Sequence, residues 1–464
     1  MAELRIASDR RAGTMRIAAL QPSYTALRAA FAVGRDSPSD YLARCINRLN
    51  ETEDVVRAFV ATDLDRARGL AEEATRRYRS GQPLSPIDGM PVGVKDIIET
   101  RDFPTQMGSP VFAGWESRRD AACVHALRAA GAIIVGKTAT TEFAVGRPAP
   151  TRNPHDLERT PAGSSSGSAA AVAAGMVPLA VGTQTQSSTL RPAAFCGVTG
   201  YKPTFGRFDL RGVHPLAPSH DHLGLLASTL GDLWAVATVL GEPSTGEPPA
   251  RRPTRLAFLR TGGWTALEAA VKDAFHAWLE RLPALGVVVI SAPDEAGVAA
   301  LETELADADE VSEDIVACEM AWPFDGYAQS HRAALGERVH GLLARGRALG
   351  QARYEQRLER RQSMRARAAA LAGACDGFVT LAASGVAPLG LENTGARSFP
   401  IPWSLIGGPS MSLPLAAHAG LPLGVQVMGT PGADRSLFGV ARWLMAHARD
   451  AGEPAIRSNE EHSP

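Results

Sequence analysis

The chain has 464 residues, of which 45% are hydrophobic and 21% charged, the balance of a folded globular protein. Its 48 basic and 49 acidic residues nearly cancel, so composition gives no reason to expect nucleic acid or an anionic membrane as a partner. The five cysteines are scattered without a C-x-x-C pair, which argues against a disulfide framework or a structural zinc site. No apolar run approaches the roughly 18 residues of a membrane span, and the N-terminus lacks the apolar core of a secretory signal. We therefore expect a cytoplasmic protein that meets a small molecule in a pocket.

The predicted elements alternate between helices and short apolar strands. Residues 37–40 (SPSD) form a helix start signal, and apolar positions at helical spacing follow it. A charged helix is predicted over 64–78, and the apolar run 92–94 predicts a short strand. Residues 121–132 and 266–286 each predict an amphipathic helix that leads into a buried strand. This alternation favours an α/β fold whose sheet is covered by helices on both faces.

A stretch rich in Gly, Ser, Thr and Ala occupies residues 161–188. Within it, 169–175 predicts a helix of small residues and 176–181 predicts an apolar strand. Small residues let backbones approach one another closely, so we interpret the stretch as packed structure rather than as a flexible linker. The Pro- and Gly-rich segment 241–253 is expected to cross the surface. Residues 331–367 are expected to form a solvated helix in which glutamates and arginines are interleaved.

Lys95 is the first residue whose surroundings indicate chemistry. It ends a strand-like run, and the neighbouring Val92, Val94, Ile97 and Ile98 suggest that it is buried. Burial disfavours the charged ammonium and lowers the pKa of a lysine, which can then serve as a base near neutral pH. A lysine in isolation would be interpreted as a surface residue.

A glycine- and serine-rich loop, 163–168, leads into the helix of small residues. Its first five residues fit the G-x-S-x-G elbow of Ser-His-Asp hydrolases, but that elbow needs an apolar strand before it. Here the polar segment 157–162 precedes it. A phosphate-binding loop would require a Gly-Lys-Ser/Thr sequence, and no lysine follows. Both of these interpretations are weak.

A second loop, 182–192, follows the predicted apolar strand directly. The carboxyl end of a strand is where α/β sheets usually place their active sites. Backbone amides of this loop are therefore candidates to converge on a developing oxyanion.

His220 and His222 flank Asp221, a pattern that raises the question of a metal site. The sequence offers no third ligand at a suitable spacing, so we predict no metal. Asp221 is instead expected to stabilise the loop in which it lies.

These segments together resemble the amidase signature family. The resemblance runs from about residue 38 to 448, weakens across 245–330, and keeps several independent motifs in the family's order. The motifs are D-G-M-P-V-G-V-K-D-I (88–97), T-P-A-G-S-S-S-G-S-A-A-A-V-A-A-G (160–175), G-T-Q-T-Q-S-S-T-L-R-P-A-A-F-C-G-V-T-G-Y-K-P-T (182–204), S-H-D-H-L-G (219–224), P-W-S-L-I-G-G-P-S-M-S-L-P (402–414) and G-L-P-L-G-V-Q-V-M-G (420–429).

The resemblance implies a Lys–Ser–Ser triad that hydrolyses amide bonds without metal or cofactor. Lys95 is then the neutral base, Ser164 the bridging serine preceded by a cis peptide, and Ser188 the nucleophile, 24 positions later. A serine hydroxyl is a poor nucleophile until a positioned base removes its proton. The N–H groups of Thr185, Gln186, Ser187 and Ser188 would stabilise the tetrahedral oxyanion.

The resemblance also implies supporting and pocket residues. Ser165, Arg191 and Asp221 are expected to support the site. Phe143 and Ala144 are expected near the pocket wall. Trp403 is a candidate for the wall as well, with core packing an equally good interpretation.

Five residues depart from the family's usual pattern. Gln184 stands where Asp is common, Gln186-Ser187 where Gly-Gly is usual, and Ala162 where Gly is usual. Arg191 lies one place later than in many members. If Ser187 had to adopt a positive φ, strain of about 1–3 kcal/mol would follow. Three consequences stay open: a reshaped oxyanion loop, a narrower pocket or a weakened enzyme.

The resemblance implies one large domain with a mixed, twisted sheet. We assign 1–37 to an N-terminal helical arm, 38–450 to the domain, with a variable insertion at 245–330, and 451–464 to a disordered tail. The favoured function is an amidase that acts on a small carboxamide or urea-like substrate, alone or as a homodimer. Two alternatives stay open: the glutaminase subunit of a tRNA-dependent amidotransferase, and a non-catalytic scaffold with the same fold.

Overall fold

The computed structural model describes residues 20–243 and 246–448. Most of the predicted N-terminal arm and all of the predicted tail at 451–464 lie outside this range. None of the described helices is long and apolar enough to cross a lipid bilayer.

A mixed sheet of 11 strands forms the centre of the described chain, in the order β1-β3-β2-β4-β6-β5-β10-β11-β9-β7-β8. β2 pairs in parallel with β3 and β4, β7 pairs in parallel with β8 and β9, and the remaining pairs are antiparallel. The strands are β1 (Phe59–Thr62), β2 (Pro91–Lys95), β3 (Ile133–Thr138), β4 (Leu179–Gln184), β5 (Thr199–Lys202), β6 (His222–Ala227), β7 (Arg255–Phe258), β8 (Val288–Ile290), β9 (Gly377–Leu381), β10 (Ser410–His418) and β11 (Leu421–Met428).

Helices surround this sheet. They are α1 (Arg28–Ala32), α2 (Pro38–Val56), α3 (Leu64–Arg79), α4 (Ala122–Ala129), α5 (Ser166–Ala173), α6 (Leu190–Cys196), α7 (Leu230–Leu240), α8 (Ala269–Leu279), α9 (Ala296–Glu304), α10 (Ala308–Glu319), α11 (Ala321–Ser330), α12 (Glu337–Ala369), α13 (Ile401–Ile406) and α14 (Asp434–His447). Short 3-10 turns occupy Thr25–Leu27, Pro110–Phe112, Glu142–Ala144, Pro283–Leu285 and Arg332–Ala334.

Side chains of the central strands alternate between two hydrophobic layers. In β4, Leu179 and Val181 pack into one cluster with residues of α7, α8 and α14, whereas Ala180 packs into another with residues of α2, α3 and α5. β6 repeats the pattern, because Leu225 joins the first cluster and Leu226 the second. Successive side chains on a strand point to opposite faces, so helices cover both faces, as the sequence predicts.

The helix and strand predictions in the first half of the chain are confirmed. Ser37 caps α2, with its side chain accepting a hydrogen bond from the N–H of Asp40. The strand predicted over 176–181 lies three residues further along the chain, because β4 runs over Leu179–Gln184. Its register with β6 runs on to Gln184 opposite His222, so the first three residues of the loop motif are ladder residues.

Two parallel neighbours position the candidate catalytic segments. β2 and β4 run in the same direction, with Val94 opposite Val181. Lys95 is the last residue of β2, and the loop 185–188 follows β4 directly. The ends of these strands therefore bring the two segments to the same edge of the sheet.

The segment 245–330, assigned to a variable insertion, contributes to the same sheet in its described part. β7 and β8 lie at one edge, where β7 pairs with β9. Helices α8 to α11 continue the segment.

Candidate active site

Lys95 is fully buried, and its amine is held by hydroxyls rather than by a carboxylate. Nζ lies 2.6 Å from Ser164 Oγ and 2.7 Å from Thr183 Oγ1. Burial lowers the pKa of Lys95 well below its ordinary value, and the charge of Asp221 acts in the opposite direction. The amine is therefore suited to accept a proton near neutral pH.

Ser164 lies in the loop before α5, and the Gly163–Ser164 peptide bond is cis, as the resemblance implies. The carbonyl oxygen of Gly163 accepts a hydrogen bond of 2.7 Å from Arg191 Nη2. A Cβ atom at Gly163 would lie 2.7 Å from Thr141 Cγ2, so this position has no room for a side chain.

Ser165 joins the serine loop to the end of β4. Its Oγ lies 3.3 Å from both the carbonyl oxygen and the N–H nitrogen of Thr183, and its own N–H donates to Ser188 O at 3.2 Å. A Cβ atom on Gly182 would lie 2.7 Å from Ser165 Oγ, so glycine permits this approach. The small residues thus place Ser164 and Ser188 on adjoining backbones.

The loop 185–188 presents unpaired backbone donors. Within the described part of the chain, the N–H groups of Gln186, Ser187 and Ser188 donate no hydrogen bond. Gln186 and Ser187 are buried, and buried backbone N–H groups without a partner are rare in folded proteins. Ser188 is partly exposed, and its hydroxyl makes no hydrogen bond to the described residues. The loop therefore offers a free hydroxyl beside donors that are available to an oxyanion.

Comparisons with known proteins identify the family. A family model described as Amidase matches residues 40–438. The chain belongs to the amidase signature family. Among curated relatives, a Glutamyl-tRNA(Gln) amidotransferase subunit from Anaeromyxobacter sp. (strain K) is 36% identical over 88% of this chain and 92% of its own length.

Solved structures show the same fold. A structure described as a crystal structure of amidase has a TM-score of 0.81 and 29% identity, covering 93% of this chain and 99% of its own. The native peptide amidase from Stenotrophomonas maltophilia has a TM-score of 0.76 and 25% identity, covering 92% and 96%. These likenesses place the chain among amidase-family hydrolases that act on C–N bonds.

Gln184, where the amidase family commonly has Asp, binds the first turn of α6. Its Oε1 accepts hydrogen bonds of 2.9 Å from the N–H groups of Thr189 and Leu190, and its Nε2 donates to Ser404 Oγ at 2.8 Å. An amide oxygen thus satisfies helix N-terminal donors as a carboxylate would.

Gln186 directs its side chain away from the loop towards α10. Its Nε2 donates to Ser312 Oγ at 3.1 Å and to Glu313 Oε2 at 3.3 Å, and its Oε1 accepts from Arg397 Nη1 at 3.0 Å. The hydroxyl of Ser404 donates to the carbonyl oxygen of Gln186 at 2.7 Å. These contacts hold the loop while its N–H groups stay free.

The positive φ that the sequence analysis considered for Ser187 occurs at Ala162 instead. Ser187 is not among the non-glycine residues of positive φ in the described chain. Ala162, at the other departure from glycine, has a φ of 67°. A left-handed backbone conformation costs an alanine about 1–2 kcal/mol, a strain that the family's usual glycine would not carry at this position.

Arg191 and Asp221 support the two sides of the site. Arg191 is buried and donates to the carbonyls of Gly163 and Gly395, and burial lowers its pKa to about 9. Asp221 accepts a hydrogen bond of 2.6 Å from the hydroxyl of Thr185 and one of 2.9 Å from the N–H of Leu216. Arg191 thus holds the serine loop and Asp221 the residue after β4.

The three residues expected at the pocket wall, Phe143, Ala144 and Trp403, lie in different surroundings. Ala144 lines a cavity of about 220 Å³ together with Thr183. Phe143 lies behind this cavity in an aromatic cluster, 5.5 Å from the ring of His214. Trp403 does not line it: its ring is fully buried, 4.6 Å from that of Phe378, which agrees with the core interpretation.

The histidines on either side of Asp221 are both buried. His220 Nε2 lies 3.3 Å from Ser312 Oγ, and His222 Nδ1 lies 3.2 Å from the carbonyl oxygen of Gln184. Burial lowers the pKa of His220 to about 3. Among the described residues, no three His, Cys, Asp or Glu side chains are grouped so as to hold a metal ion.

Thr183 and Ser404 are site residues that the sequence analysis missed. Thr183 holds Lys95, and Ser404 holds both glutamines of the loop. Side chains two residues apart on a strand lie on the same face, so continuing the predicted strand past Val181 would have placed Thr183 on the face of Val181. For Ser404 the sequence carries no comparable signal.

Replacing Gln184 with leucine tests the helix contact. Gln184→Leu leaves the N–H groups of Thr189 and Leu190 buried without an acceptor, so we expect the free energy of unfolding to fall by about 2–4 kcal/mol. Urea denaturation measures the change. The matched control Gln82→Leu, at an exposed turn, should stay within about 0.5 kcal/mol of wild type. Equal stability of the two variants would contradict the assignment.

Proposed function

We propose that this chain is an amidase that hydrolyses the C–N bond of a small carboxamide or urea-like compound through an acyl-enzyme on Ser188. The observation that carries the proposal is the fully buried Lys95, 2.6 Å from Ser164 Oγ, at the end of the strand beside the Ser188 loop. A lysine that is buried without a carboxylate partner is costly to a fold, and a role as neutral base gives the arrangement a purpose.

The first half-reaction follows from this arrangement. Neutral Lys95 donates to Thr183 and accepts the proton of Ser164, which accepts the proton of Ser188 as its oxygen attacks the substrate carbonyl. The unpaired N–H groups of the 186–188 loop stabilise the negative oxygen of the tetrahedral intermediate. Removing one such donor typically costs about 3–4 kcal/mol.

Collapse of the intermediate breaks the C–N bond. The proton held by Lys95 passes back through Ser164 to the leaving nitrogen, which departs as ammonia or an amine. Water then attacks the ester on Ser188, with the same relay taking its proton. The ester C–O bond breaks, the relay returns the proton to Ser188 Oγ, and the carboxylic acid is released.

The triad is tested by substitution and by labelling. We expect Ser188→Ala and Lys95→Ala each to lower turnover by at least about 10⁴-fold, because nucleophile and base act as one unit. A fluorophosphonate probe should label Ser188, located by peptide mass spectrometry. Ser166→Ala is the matched control, since its hydroxyl donates to the carbonyl oxygen of Ala162 and labelling should persist.

Two outcomes would contradict the triad. Wild-type turnover by Ser188→Ala would make the nucleophile assignment wrong. Absence of labelling in correctly folded protein, judged by circular dichroism, would favour the non-catalytic scaffold.

Asp221 is expected to tune the base. Its carboxyl, whose pKa burial raises to about 6, is charged at neutral pH and raises the pKa of Lys95. Only the neutral amine acts as base, so activity rises as pH rises through the pKa of Lys95. Removing the charge lowers that pKa further. We therefore expect Asp221→Asn to shift the acidic limb of the kcat/KM profile to lower pH.

The control for this profile is Asp209→Asn. Asp209 is an exposed carboxylate paired with Arg211, so its removal should leave the acidic limb in place. If Asp221→Asn folds and its acidic limb coincides with that of wild type, the proposed influence on Lys95 is wrong.

A second candidate function is a glutaminase subunit that works with partner subunits and tRNA. The observation in its favour is the likeness to curated Glutamyl-tRNA(Gln) amidotransferase subunits over most of both chains. The rearranged Gln184–Ser187 loop is the reason to prefer the stand-alone enzyme.

Purified chain without partners separates the two functions. We expect it to release ammonia from simple amides such as butyramide, because the Lys95–Ser164 pair lies within one chain. Ammonia detection provides the measurement, with Ser188→Ala as the blank. Release from L-glutamine only, and only with partner subunits and tRNA present, would establish the glutaminase subunit instead.

A further inference from the structure

A cavity of about 220 Å³ adjoins the residues that hold the candidate base. Thr183 and Thr185 form part of its wall, and the hydroxyl of Thr183 is one of the groups that hold Lys95. Thr185 is the first residue of the candidate oxyanion loop. A substrate whose carbonyl sits at this loop therefore has the cavity within reach of its acyl group.

Most of the wall is apolar. The aliphatic lining residues are Ile97, Ala144, Leu210, Val213, Pro215, Leu216 and Pro218. An apolar group that enters gains about 25 cal/mol for each Å² removed from water. A cavity of about 150 Å³ is known to bind benzene, so the present volume suits a group of that size or slightly larger.

Most of the polar groups on the wall have partners; His222 Nε2 is the exception, buried without one among the described residues. Asp221 Oδ1 accepts from Thr185, and Oδ2 accepts from the N–H groups of Leu216 and Ala217. His214 Nε2 lies 3.2 Å from the hydroxyl of Tyr327. Few hydrogen-bonding positions are left for a polar acyl group.

The cavity also lacks a positive charge for an anionic group. Its described lining includes no lysine or arginine. Burial lowers the pKa of His214 to about 4 and that of His222 well below its ordinary value, so both imidazoles are neutral at pH 7. The carboxyl of Asp221 is negatively charged at pH 7, because burial raises its pKa only to about 6. Arg397, which contacts the candidate oxyanion loop, donates to Gln186 and is not a lining residue.

A larger open depression of about 970 Å³ lies elsewhere, lined by residues such as Arg119 and Arg211. Neither Thr183, which holds Lys95, nor Thr185 of the oxyanion loop lines it, and both arginines are paired, with Glu99 and Asp209. It therefore does not compete with the smaller cavity as an acyl site.

We infer that the 220 Å³ cavity is the acyl pocket and that it selects compact, uncharged acyl groups, aromatic or branched aliphatic, over carboxylate-bearing ones. The inference rests on the proposed amidase function. It predicts discrimination against substrates such as succinamate, whose carboxylate would lose water and meet Asp221 without a cation to offset the cost.

A matched substrate pair tests the charge. Butyramide and succinamate have similar length and differ by a terminal carboxylate. We expect kcat/KM to be at least about tenfold higher for butyramide, and benzamide to be accepted as well. Equal or better use of succinamate would overturn the inference.

A cavity-filling variant tests the location. Val213→Phe places a ring in the pocket and should lower the ratio of benzamide to acetamide kcat/KM by at least about tenfold. Val33→Phe, at a residue 66% exposed, is the control and should leave the ratio unchanged. An unchanged ratio in a folded Val213→Phe protein would overturn the inference.

A second variant tests the location if the Val213→Phe protein does not fold. Leu210→Ala enlarges the same cavity, so use of 2-naphthamide relative to benzamide should rise; no change would count against the pocket. Failure of the proposed function is recognised separately. In that case wild-type protein hydrolyses no amide, acetamide included, and Ser188 is not labelled.

Discussion

The hydrogen bonds that hold the buried amine of Lys95 are the constraint on which the site depends. One nitrogen joins β2, the serine loop and β4, through partners 69 and 88 residues away in the chain. A neighbouring buried lysine shows the alternative. Lys137 lies 3.1 Å from Asp96 as an ion pair, whereas no described carboxylate lies within ion-pair distance of Lys95. Lys137 thus has a counter-charge, whereas among the described residues Lys95 is held only by hydroxyls. An environment without a counter-charge favours the neutral amine of Lys95.

The second constraint concerns the loop that follows β4. Polar side chains replace the family's usual residues there, yet each glutamine has a defined set of partners. Gln184 holds the start of α6, and Gln186 reaches α10 and Arg397. In the described chain the backbone N–H groups of Gln186, Ser187 and Ser188 are unpaired. The departures therefore change what supports the loop while its donors remain available to an oxyanion.

Electrostatics connect the base to the cavity beside it. Asp221 is at once the acid that raises the pKa of Lys95 and, among the described lining residues, the only acid on the cavity wall. Its carboxylate is satisfied by Thr185 and by two backbone N–H groups, so it acts on a substrate through its charge rather than by hydrogen bonding. The same residue thus bears on both the ionisation of the base and the charge of the acyl group that the proposed enzyme accepts.

The sequence by itself determined the family, the α/β class and the identity of Lys95, Ser164 and Ser188 as candidates, because each lies in a local motif of fixed spacing. It also predicted α2 and β2 from the helix start signal at Ser37 and from a short apolar run. Only the tertiary structure decided which distant groups meet these motifs. Ser404 and Thr183 bind the loop and the base across 220 and 88 residues of separation, and Trp403 is buried in the core. Such contacts depend on strand order and register, which a local pattern does not encode.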